Sequence, residues 1–183
     1  MADTAWTFDG QHGELLIHTG VTGRAAKMGH RLTIAMRHWQ ATVRWAGGAP
    51  AAAELTVDVD SLEVLRGEGG VTPLSGPEKA LVRSNALRSL DARRYPQIRF
   101  GANTVEPTAD GYRLTGELNI HGTAHRQVIE LHTTNSGAVW ELSSKAAVRQ
   151  SDFGVRPYSM MMGSLKVADE VSVTFHATRA KDT

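Results

Sequence analysis

The chain has 183 residues, with 20 Lys and Arg against 19 Asp and Glu for a formal charge of +1, and it has no cysteine. That length suits one domain with a substantial core, and the missing thiols exclude disulfide frameworks, thiolate zinc sites, iron–sulfur clusters and thiol nucleophiles. The nearly balanced charge supplies no bulk field for nucleic acid, so no nucleic-acid partner is expected.

In chain order, the first twelve residues carry Asp3 and Asp9 where a secretory signal would hold its apolar stretch. No apolar run approaches the roughly 18 residues of a membrane span, and the expectation is a cytoplasmic protein. Strand-like alternation then sets in at residues 14–19. Leu32, Ile34 and Met36 alternate with Arg31, Thr33 and Arg37, and after a break at His38 and Trp39 the pattern resumes as Ala41, Val43 and Trp45. Leu55, Val57 and Val59 alternate with Thr56, Asp58 and Asp60, which puts both Asp on one strand face. Ser75-Gly-Pro-Glu is a cap and proline start, and Val82, Ala86 and Leu90 recur at helical spacing, so a helix is predicted over about 75–91. Alternation returns at 98–105, in Tyr112, Leu114, Gly116, Leu118 and Ile120, and at 128–134, 139–148 and 171–177. Gly47–Gly48, Asp110–Gly111, Gly122 and Ser136–Gly137 supply turns.

No repeat, low-complexity tract or linker divides the chain, so residues 1–183 read as one all-β domain. A closed antiparallel β-barrel with one helical insertion accommodates eight or more strands without exposed edges. Leu32, Ile34, Met36, Leu55, Val57, Phe100, Leu114, Leu118, Ile120 and Val173 are predicted to face inward. Aromatic residues are only 6% of the chain, so an eight-stranded barrel has few large side chains to fill it, and either a solid core or an apolar cavity follows.

Four features carry candidate chemistry. His30 follows Gly29 at the start of a strand, where its imidazole suits a polar head group, a metal or haem iron, or the ordinary hydrogen bond of a strand-end histidine. Met160, Met161 and Met162 are polarizable and adaptable, as a pocket for a flexible tail requires; if the segment is extended, Met160 and Met162 share one face and Met161 the other. Arg156 and Tyr158 offer a donor pair for a phosphate, carboxylate or quinone oxygen, against the plainer reading of surface side chains. Lys79, Arg83, Arg88, Arg93, Arg94 and Arg99, against Glu78 and Asp91, make a basic stretch that suits a pyrophosphate or a transient contact with an anionic membrane, or simply a solvated helix face. His121 and His125 flank a turn without a third metal ligand, and neither a nucleophile elbow nor a phosphate loop is present.

Several motifs, in order, resemble the YceI-like lipid-binding proteins: Trp6-Thr-Phe-Asp-Gly-Gln-His12, Tyr95-Pro-Gln-Ile-Arg-Phe100, Gly116-Glu-Leu-Asn-Ile-His-Gly-Thr123, Ser151-Asp-Phe-Gly-Val155 and Val167-Ala-Asp-Glu-Val171. The stretches at 23–32 and 156–163 resemble an actinobacterial-type branch of that family. The resemblance implies a lipocalin-like barrel whose cavity holds a polyisoprenoid chain or another amphiphile. Two positions depart from the family pattern. Gly13 stands where the family often has Ser, and Gln150 where it often has Arg, with Arg149 one residue away.

The expectation is therefore non-catalytic binding, sequestration or transport of an isoprenoid or similar long-chain lipid, without a cofactor; a homodimer is admitted. The ligand-binding set is His30, Met36, Phe100, Leu118, Arg156, Tyr158, Met160, Met161 and Met162. The competing reading is a haem-, metal- or quinone-dependent redox protein using His30.

Overall fold

The computed structural model describes residues 4–181. Strands β1 (Ala5–Asp9), β2 (Gly13–His18), β3 (Val21–Thr22), β4 (His30–Met36), β5 (Trp39–Ala46), β6 (Ala49–Asp58) and β7 (Leu62–Gly69) precede the one α-helix among the described residues, α1 (Gly76–Ser89). After it come β8 (Gln97–Thr108), β9 (Gly111–Ile120), β10 (Thr123–Asn135), β11 (Val139–Arg149), β12 (Ser159–Met160), β13 (Leu165–Val167) and β14 (Glu170–Ala180). Eleven strands form one antiparallel sheet in the order β1-β5-β6-β8-β9-β10-β11-β14-β2-β4-β7, and β12, β13 and β3 form a small separate sheet.

The large sheet curls into a half-barrel, and the ladders run in a linear order rather than a ring. Its two halves are drawn together because three strands turn corners and continue: β1 into β2, β4 into β5, and β6 into β7. The corners are tied to one another by Arg37 N–H donating to Ser61 O at 3.2 Å and Asp58 N–H donating to His38 O at 2.9 Å. Asp60 therefore lies in the turn Val59–Ser61 and not on the strand face of Asp58, as the alternation alone had implied. Bulges at Thr33/Ile34, Arg44/Trp45 and Ala102/Thr104 add local bend, which a flat ladder lacks.

Helix α1 starts where its cap is. Ser75 Oγ accepts from Glu78 N–H, donates to Glu78 Oε1 at 2.9 Å, and Pro77 stands in the first turn. No residue of α1 is fully buried. The helix is instead latched to the sheet by Arg83, whose Nε donates to Leu62 O at 2.8 Å and whose Nη2 donates to Asp60 O at 2.6 Å. Its apolar side, with Val82, Ala86 and Leu90, packs toward the interior.

Two apolar clusters line the inside of the curl. One is built around Phe8, Met36, Trp39 and Leu62, the other around Phe100, Leu118, Phe153 and Val155. Leu55, Leu90, Ile98, Leu131 and Val173 touch both.

Candidate functional cavity

The two clusters leave a cavity of about 740 Å³ between them. Strands β8 and β10, 12 and 13 residues long, measure about 40 Å each at roughly 3.3 Å per residue. The lining follows them from Trp45, Pro50 and Trp140, near the hairpin turns, to Met28, Leu81, Tyr158 and Met160 at the opposite mouth. All ten residues predicted to face inward line this space. Period-two alternation puts one side of each strand toward it, and the inward positions are filled by apolar side chains.

The structure divides the sequence-derived site. His30, Met36, Phe100, Leu118, Tyr158 and Met160 line the cavity; Arg156, Met161 and Met162 do not. Arg156 is exposed while its neighbour Val155 is buried in the second cluster, so Arg156 and Tyr158 do not face the cavity together. Met161 and Met162 lie in a turn with φ of 53° and 56°, which ends the extended run after Met160 and removes the expected alternation.

His30 Nε2 donates to Thr72 O at 2.7 Å, tying the loop after β7 to the start of β4. Its ring also sits against Gly70, where a Cβ would stand 2.6 Å from Nε2 and where φ is +73°. That nitrogen is therefore engaged in structure. His121 and His125 do not approach as a pair: the first packs against Tyr95 and the second against Phe153, with ring centroids 4.8 and 5.4 Å apart. Among the described residues no group of three His, Cys, Asp or Glu is placed to hold a metal ion.

Some lining residues lie outside the set named from the sequence. Glu78, Asn85 and Ser89 face the cavity from α1, and Trp6, Trp45 and Trp140 form its far walls. Trp45 Nε1 is buried and has no hydrogen-bond partner among the described residues. Gln150 also lines the cavity, but its Nε2 donates to Ala168 O at 3.0 Å, while Arg149 is exposed outside it.

The displaced carboxyls lie outside the lining. Hydrogen bonds from the Ser151 hydroxyl and then its N–H hold Asp169 below the ordinary Asp value; the Gln11 N–H lowers Asp9, and Arg37 lowers Glu63. Asp169 thereby clamps both ends of the 150–169 segment that carries Tyr158 and Met160 to the mouth. A depressed folded-state value means that this clamp holds above the ordinary Asp value and is lost as pH falls through the folded one. Hydrogen-exchange protection of Ser151 N–H is expected to drop over that acid window in the native chain, and to show no such step in Asp169→Asn.

Comparison with known proteins places this geometry. The YceI-like domain family model matches residues 3–179. The fold is similar to the crystal structure of BcnA from Burkholderia cenocepacia, with a TM-score of 0.68 and 22% identity over 91% of this chain and 96% of that one. It is also similar to the Campylobacter jejuni YCEI protein, with a TM-score of 0.59 and 14% identity over 82% of this chain and 85% of that one. No curated protein matches. A family match over nearly the whole length, on a curled antiparallel sheet with one helix, means that the chain belongs to the YceI-like domain family.

Proposed function

We propose that the protein binds the apolar tail of an isoprenoid or similar long-chain amphiphile in this cavity, and sequesters or carries it without chemical change. The observation that supports this reading is the cavity itself: about 740 Å³, continuous from Trp45 to Met160, and walled chiefly by Leu, Ile, Val, Phe and Trp. Such a space falls in the roughly 300–1,000 Å³ range of small-molecule sites, while its apolar walls favour a tail over a polar metabolite. The tail occupies the interior and the head group stays at the mouth, beside Tyr158, Lys166 and Glu78.

Burial of the tail supplies most of the affinity. Each added methylene is expected to contribute about 0.8 kcal/mol, roughly fourfold in Kd, until the cavity is full. The test is native mass spectrometry with organic extraction of purified protein, followed by titration with prenyl alcohols of increasing length. One chain per protein, recovered unchanged, with affinity rising and then levelling along the series, is the expected result. No extractable lipid together with no uptake of any added prenyl alcohol overturns the reading.

A further inference from the structure

The mouth of the cavity is an apolar rim held in water. Met28, Leu81, Tyr158 and Met160 both line the cavity and remain exposed, Leu81 at 62% and Met160 at 49%. Met161 and Met162 project beyond the rim without lining the cavity, and Met162 is fully exposed.

The backbone is shaped to hold them there. Met161, Met162 and Gly163 are all left-handed, with φ of 53°, 56° and 88°, a conformation that residues with a Cβ adopt rarely and hardly ever in succession. The turn is pinned by Ser164, whose N–H and hydroxyl donate to Met161 O at 3.1 and 2.6 Å, and by Ala25 N–H donating to Ser164 O at 2.8 Å. The small sheet of β12, β13 and β3 carries this turn beside the segment containing Met28.

The charges around the rim are predominantly basic. Residues 19–33 and 150–169, which build it, contain Arg24, Lys27, Arg31, Arg156 and Lys166 against Asp152 and Asp169, and Asp169 is taken up by Ser151. Two further carboxylates come from other elements: Glu78 of α1, which accepts from Ser75 Oγ, and Glu68 of β7, which pairs with Arg66. The basic residues of the helix, by contrast, include Arg83, which is spent on latching α1 to the Leu62 and Asp60 carbonyls.

We propose that this tip docks on the surface of an anionic bilayer. Met161 and Met162 enter the headgroup boundary, the surrounding Arg and Lys meet lipid phosphates, and the cavity mouth then opens toward the acyl region. Exposed apolar side chains inside a cationic collar are the combination that binds such an interface, and projecting single side chains suit a deformable lipid layer. The docking goes beyond the cargo reading and does not require the cavity to be filled.

The chain has no cysteine, so Met162→Cys carries an environment-sensitive fluorophore at one site only. With vesicles containing phosphatidylglycerol, that label is expected to brighten and shift to the blue, and the same label at Val128→Cys on the wall of β10 is expected not to respond. Met161→Ser with Met162→Ser should lower co-sedimentation with these vesicles by roughly tenfold at unchanged thermal stability, since both side chains are exposed. Arg24→Gln with Lys27→Gln should weaken binding to phosphatidylglycerol vesicles at low salt more than at high salt. No vesicle binding by the native chain, equal label responses at 162 and 128, or undiminished binding of the double serine variant overturns the proposal. So does a concentration-dependent dimer that the serine variant loses without any vesicle binding, which assigns the tip to a second copy. Prenyl alcohol uptake measured in the same samples separates the two readings: label insertion without uptake leaves docking standing and removes the isoprenoid cargo.

Discussion

Ala146→Trp is expected to lower uptake of long-chain amphiphiles by more than a hundredfold while leaving the protein folded. Ala146 lies on β11 between Ser144 and Val148, which share its face, and opposite Val173 of β14; all four line the cavity. An indole at this position extends into open space, so it displaces tail rather than protein. Excluding about four methylenes removes about 3 kcal/mol of binding, more than a hundredfold in Kd. The thermal midpoint should hold or rise, because the added ring buries apolar surface against Val173 and Val148 without overpacking. Lys145→Trp is the matched control, since Lys145 is exposed on the other face of the strand. Titration of both variants with the prenyl alcohol series, beside thermal unfolding, checks this; native-like uptake by a folded Ala146→Trp protein would take the cargo out of the cavity.

Gly13→Ser is expected to cause a large loss of stability. Gly13 pairs with Ala177, which is completely buried, and a Cβ on Gly13 would stand 1.9 Å from His176 O and 2.6 Å from Ala177 Cα. Both obstructing atoms are backbone, so β2 and β14 must separate where the sheet turns its first corner. A cost of at least about 3 kcal/mol follows, or a fall of roughly 6–12 °C in Tm for a chain of this size. Gly101→Ser should be nearly neutral, because nothing lies within 4 Å of a Cβ built there. Differential scanning calorimetry of the two variants gives the comparison, and equal midpoints would mean that the corner relaxes freely.

Much of the wall was legible along the chain. The apolar side of a strand is a local property: Leu32, Ile34 and Met36, or Leu114, Leu118 and Ile120, declare their common face by spacing alone, and the fold lays that face on the cavity. The helix was legible for the same reason, since Ser75, Pro77 and Glu78 act within one turn. Strand β7 was missed because Gly67, Gly69 and Gly70 dilute its alternation, and its pairing with β4 supplies what propensity does not. Strands β3, β12 and β13 are two or three residues each and exist only through one another.

What the chain determined by itself, then, is which residues are apolar, at what period, and where turns and a helix begin. Only the tertiary structure decided that three strands turn corners, that Val155 takes the inward place and Arg156 an exposed one, and that a left-handed turn lifts Met161 and Met162 away from Met160. It also decided that the interior is open. A cavity is the difference between the separation of the walls and the reach of their side chains, and that separation depends on sheet curvature and long-range register, which local periodicity does not encode.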